Sequence, residues 1–170
     1  MAKIMTSLVL GAALIATAGC AKKRPPELPP TPSEQGPGTG SDMNNSDSEA
    51  GPLNAQFKRA VMSDTVLFDL DQYDIDPEAR AILDSQATWL VSRPEARITI
   101  EGHADERGTR EYNLGLGDRR ANAAKNYLAA RGVSASRITT ISYGKERPVA
   151  MGSDEAAWAQ NRRAVTIVIN

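Results

Sequence analysis

Arg97-Ile98-Thr99-Ile100-Glu101-Gly102-His103-Ala104-Asp105-Glu106-Arg107-Gly108 changes character halfway along. Arg97 to Glu101 alternates polar and apolar side chains, the period of a strand with one buried face. From Gly102 the run becomes small and charged, so it reads as a loop at the strand's C-terminal end, where α/β folds place ligands. Downstream, a helix is predicted from Arg110 to Arg131, with Thr109 as N-cap and Gly132 just past its end. Ala121, Ala124 and Leu128 mark its inward stripe, and Trp89 and Trp158 are read as helical packing residues. Gly115 and Gly117 each cost that helix about 1 kcal/mol, which predicts tightly packed or distorted first turns. A strand over Ile138 to Tyr143, a short helix opened by Ser153-Asp154-Glu155 and a strand over Ala164 to Ile169 follow. Upstream, β-branched and aromatic Thr65-Val66-Leu67-Phe68 reads as a strand. Asp76-Pro77-Glu78 then opens a helix with an N-cap, a first-position proline and an acid at the positive dipole end. Ala79, Ile82, Leu83, Gln86 and Leu90 keep helical spacing until Pro94 stops it. The order β-α-β-α-β-α-β over residues 53–170 predicts an α/β sandwich, a mixed sheet with helices packed on one face.

The first fifty residues are of another kind. Lys3, an apolar run from Leu8 to Ala18 and small residues before Cys20 read as a secretory signal over 1–19; the run is too short to span a bilayer. Cys20 is the only cysteine, so no internal disulfide forms. Thr17-Ala18-Gly19-Cys20 resembles a lipobox, and that likeness implies S-diacylglycerol and N-acyl groups on Cys20. Ala21 after it resembles the pattern sorted to the outer membrane, and three acyl chains hold firmly where one is marginal. Seven of the ten prolines fall between Ala21 and Pro52. That composition cannot bury enough surface to offset chain entropy, so 20–52 is expected to be a disordered tether. Charge is balanced, 20 basic against 21 acidic side chains, which argues against a dedicated nucleic-acid binder.

Several motifs recur in order through the domain: Gly102-His103-Ala104-Asp105-Glu106-Arg107-Gly108, Tyr112-Asn113, Leu116, Arg119-Arg120-Ala121, Ser142-Tyr143-Gly144-Lys145-Glu146 and Asn161-Arg162-Arg163. Together they resemble the OmpA-like peptidoglycan-binding domain family and, within it, the peptidoglycan-associated lipoproteins. The resemblance implies an OmpA-like fold, no enzymatic activity and no cofactor beyond the Cys20 lipid. It also implies an outer-membrane lipoprotein, facing the periplasm, that holds the cell wall without cutting it. The implied ligand is the diaminopimelate of the peptidoglycan stem peptide, with Asp105 and Arg120 at the binding positions. Asp71 and Leu116 fall at further ligand-side positions, while Asn113 and Arg163 match positions whose role is binding or architectural. Membership of the Tol-Pal system follows from the same likeness, with TolB as partner and a part in envelope constriction at division.

The residue types suit that ligand independently. Diaminopimelate ends in an ammonium and a carboxylate on one carbon; Asp105 can accept from the first, and a guanidinium pairs with the second. The plainer alternative is that Asp105 and Arg120 pair with each other. His103, the one histidine, lacks partners for a metal site and is expected to hydrogen-bond within the loop. A wall hydrolase would need Asp105 and Glu106 on opposite sides of one bond, which adjacent loop residues rarely achieve. A stator-type OmpA-like protein would need a span of about 20 apolar residues, and none is visible.

Overall fold

The computed structural model describes residues 51–169, which lie in the second of two units, Ser41–Asn170. The signal and lipobox expectations, and the tether as far as residue 50, lie outside the described residues; the last residue assigned to the tether, Pro52, instead opens the first helix. Eight elements follow in order: α1 (Pro52–Ala60), β1 (Thr65–Leu67), α2 (Pro77–Val91), β2 (Ile98–His103), α3 (Arg110–Ala130), β3 (Ile138–Gly144), α4 (Glu155–Asn161) and β4 (Arg163–Val168). All seven elements expected between residues 65 and 169 are present. Helix α1 is additional: its nine residues carry only two large apolar side chains, too few to show a period. Phe57 is nonetheless fully buried, and Asn54 Oδ1 accepts from the Val168 amide at 2.9 Å, so α1 is stitched to β4.

The sheet runs β1-β4-β2-β3. β4 is antiparallel to both β1 and β2, while β2 and β3 are parallel, so the sheet is mixed as expected. Along β4 burial alternates: Ala164, Thr166 and Val168 are buried while Arg163, Val165 and Ile167 are half-buried, so one face meets the core. Ile98 and Ile100 of β2 join that core with Leu83 and Leu90 of α2 and Ala121, Ala124 and Leu128 of α3. Caps form where the side chains predict them, with Asp76 accepting from the Ala79 amide at 2.7 Å and Asp154 from Ala157 at 2.8 Å.

Helix α3 is not interrupted by its glycines. Gly117 faces Gly102 of β2 with no side chain between them: a Cβ on Gly102 would stand 2.6 Å from the Gly117 carbonyl carbon. The early turns of α3 therefore sit directly on β2, which brings them against the loop that follows the strand.

Candidate functional site

Arg120 organises the site. It emerges from the core side of α3 fully buried, and its guanidinium donates to three carbonyls: Gln72 and His103 at 2.8 Å, Asp69 at 3.1 Å. Burial, with Arg162 nearby as a second cation, lowers its pKa to about 10. These bonds fasten the turn after β1 to the end of β2. Within that turn the Gln72 amide returns to the Asp69 carbonyl at 3.2 Å, and Asp71 takes a left-handed conformation at φ 59°. Aspartate tolerates that region better than most residues. The Tyr112 hydroxyl, from the first turn of α3, donates to the Asp71 carboxylate in a short hydrogen bond.

Asp105 lies opposite, 5% exposed. It does not pair with Arg120. Its Oδ1 accepts from the Arg107 amide at 3.1 Å and Nε at 3.2 Å, and its Oδ2 from Arg107 Nη2 at 2.5 Å. Burial alone would raise the carboxyl, but the Arg107 bonds outweigh it and hold the group below the usual carboxylate range. Asn113, buried on α3, donates to the Arg107 carbonyl at 2.7 Å and so fixes the loop. Lys145 clamps it from beyond β3, donating to the Glu106 and Gly108 carbonyls at 3.0 and 2.7 Å.

Asp71, Asp105, Asn113, Leu116 and Arg120 thus line one cavity of about 320 Å³, with Leu70, Arg107, Gly108 and Tyr112. A larger hollow of about 420 Å³ between β1 and α2 gathers no comparable set: of its two carboxylates, Asp76 is committed to capping α2. Arg163 is the one expected site residue that does not join the cavity. It donates to the Arg147 carbonyl at 3.2 Å, while its neighbour Arg162 turns inward. Arg162 lies in the bend between α4 and β4 and Arg163 opens the strand, and this one-residue difference decides which arginine reaches Asp105. Arg162 Nη1 stands 3.5 Å from Asp105 Oδ2, and its other nitrogens bond the Phe68 carbonyl at 3.0 Å and Glu155 at 2.6 Å. Sequence reasoning missed Arg162, Arg107 and Tyr112 as site residues, although all three stand in the quoted motifs.

Two smaller expectations need correction. His103 does not hydrogen-bond within the loop; it ends β2 in a buried position where neither ring nitrogen is bonded, its Nε2 3.6 Å from Glu101. Trp89 packs as expected, edge-on to Phe57 at 5.1 Å, but the half-buried Trp158 carries the Arg107 guanidinium 4.0 Å over its ring. Trp158 Nε1 also donates to Glu106 at 3.1 Å. Bonds from Ser153 and Trp158 hold the Glu106 carboxyl below its usual range. Neither Asp105 nor Glu106 is therefore the raised carboxylic acid that glycoside hydrolysis requires. Among the described residues no group of His, Cys, Asp and Glu could hold a metal ion, and no helix is long and apolar enough to cross a membrane.

A four-stranded mixed sheet, helices on its core face and this carboxylate-arginine cavity at the end of β2 define the class: the chain belongs to the OmpA family, whose sequence model matches residues 67–162. Within that class the relatives are more specific. The chain is 48% identical over 165 residues to the peptidoglycan-associated lipoprotein of Rhizobium meliloti (strain 1021), covering 97% of this chain and 86% of that one. The crystal structure of the peptidoglycan-associated lipoprotein from Burkholderia pseudomallei superimposes with TM-score 0.61 at 42% identity, covering 75% of this chain and 99% of that one. The C-terminal domain of Helicobacter pylori MotB shares the fold alone, with TM-score 0.58 at 20% identity over 62% of this chain and 83% of that one. These lipoprotein relatives are named for wall association, not for an enzymatic activity.

Proposed function

We propose that the chain is an outer-membrane lipoprotein that grips peptidoglycan non-covalently and tethers the membrane to the cell wall. Residues 1–19 act as the signal, Cys20 carries the lipid, 20–52 supply reach, and 53–170 bind the wall from the periplasmic side. The ligand is the diaminopimelate side group of the stem peptide. One observation carries the reading: Asp71, Asp105, Leu116 and Arg120 line a single cavity whose walls are held by hydrogen bonds of Arg120, Arg107 and Asn113. Asp105 receives the ammonium. Arg120 has five N–H donors and directs three at carbonyls, which leaves two for the carboxylate. Leu116 packs on the methylenes, Asp71 adds negative charge at the mouth, and Asn113 holds the loop. Arg163, outside the cavity, has an architectural role. The identity to peptidoglycan-associated lipoproteins further supports a place in the Tol-Pal system, with TolB as partner and a role in outer-membrane constriction during division.

Co-sedimentation of the detergent-solubilised lipoprotein with purified sacculi tests this. Diaminopimelate wall should pull the protein down at least tenfold better than wall with lysine at that position, which lacks the terminal carboxylate. Equal recovery with both walls defeats the assignment.

A further inference from the structure

The cavity's one deep carboxylate is already occupied. Arg107 bonds both oxygens of Asp105, and Arg162 Nη1 stands a further 3.5 Å from Oδ2. A ligand ammonium reaches Asp105 only by taking the place of the Arg107 guanidinium. The three arginines around Asp105 differ in how free they are to move. Arg120 is tied to three carbonyls and Arg162 to a carbonyl and Glu155. The Arg107 guanidinium hydrogen-bonds only Asp105, lies over the Trp158 ring and feels Glu155 and Glu106 only as more distant charges, and it is 34% exposed. Its backbone is fixed, with the carbonyl held by Asn113 and the amide on Asp105 Oδ1, so displacement turns the side chain and leaves the loop in place.

Displacement has a consequence for the ligand. An amine that takes Asp105 leaves the guanidinium without a hydrogen-bonded anion at the cavity mouth, since Glu155 is bonded to Arg162 and Glu106 to Trp158. A ligand with a carboxylate on the same carbon offers that anion within reach of the swinging arm. On the reading that the ligand is diaminopimelate, we propose that Arg107 is the specificity-determining residue of the site. It exchanges partners, giving Asp105 to the ammonium and taking the carboxylate beside Arg120, so that only a zwitterionic end group is accepted at full affinity. Two ion pairs replace one, and Arg107 keeps a hydrogen-bonded anion. A simple amine replaces one pair with one pair and leaves Arg107 without a bonded anion, which lowers its apparent affinity by the fraction of protein in which Arg107 has swung away.

The test is calorimetry of the full-length lipoprotein in detergent with two synthetic stem tripeptides, one ending in meso-diaminopimelate and one in L-lysine. Wild type should prefer the diaminopimelate peptide at least tenfold. Arg107→Ala should bind the lysine peptide at least threefold more tightly than wild type does, because the competitor is gone. Its preference for diaminopimelate should fall to less than a third of the wild-type ratio. Arg107→Gln keeps the stem and one donor without the charge, so it guards against a folding defect and should move both quantities the same way. If both variants bind the lysine peptide no better than wild type and keep its preference, the proposal is overturned while the diaminopimelate reading stands. If wild type itself binds neither peptide, that underlying reading fails and the exchange fails with it.

Discussion

Gly117 of α3 lies against Gly102 of β2 so closely that a Cβ on Gly117 would stand 2.8 Å from the Gly102 carbonyl oxygen. This contact sets the height of α3 above the sheet, and with it the position of Arg120 one turn further along.

Gly117→Ala should therefore destabilise the domain by about 1–3 kcal/mol, the usual cost of overpacking, despite alanine's better helix propensity. Gly115→Ala should do the reverse. A Cβ there meets only Arg119 Nη1 at 3.5 Å, an ordinary contact, so the propensity gain of up to about 1 kcal/mol survives. Urea denaturation of both variants measures the contrast, and equal midpoints would contradict it.

Arg120→Lys keeps the charge but cannot reach three carbonyls at once. Leaving buried acceptors unmet costs about 1–3 kcal/mol each, so stability should fall by at least about 2 kcal/mol. Unfolding followed by circular dichroism checks this, and an unchanged midpoint would show that the turn after β1 needs no anchor.

Most of this fold can be read from residue pattern alone, and the reasons are local. Asp76-Pro77-Glu78 and Thr109 announce helix starts by their own chemistry, and the alternation of Arg97 to Glu101 announces a half-buried strand. Helix α1 escaped because Phe57, its one fully buried apolar side chain, meets its partners only in the tertiary fold. The site divides in the same way. Residue types and motif order pointed to Asp105 and Arg120, but not to the pairing of Asp105 with Arg107, two residues away, because no spacing rule says which of several arginines a loop will fold back. Nor could spacing settle Arg162 against Arg163, adjacent residues of which only Arg162 turns in to Asp105.

His103 predicts a pH dependence. Desolvation by burial lowers its pKa below 6.5, with Glu101 pulling upward and Arg163 and Arg147 downward. The unfolded chain then takes up the proton first, so stability is level above about pH 6.5 and falls as pH drops below it. As the only histidine, His103 can be isolated: His103→Phe should lose less stability than wild type between pH 7 and pH 5. Parallel curves for the two proteins would assign the fall to other groups.

On the proposal that Cys20 carries the lipid through its thiolate, Cys20→Ser should abolish acylation. Labelling cells with a fatty acid reads this directly; label persisting in the variant would place the anchor elsewhere.

The central claim is that the cavity at the end of β2 holds diaminopimelate through Asp105. Asp105→Ala removes the ammonium's partner while Arg120 still holds the turn after β1 to the end of β2. Calorimetry of the full-length lipoprotein with the diaminopimelate tripeptide should show a loss of about 2–5 kcal/mol in binding free energy, with the far-ultraviolet circular dichroism unchanged. Wild-type affinity in the folded Asp105→Ala protein would mean that the wall is held by another surface.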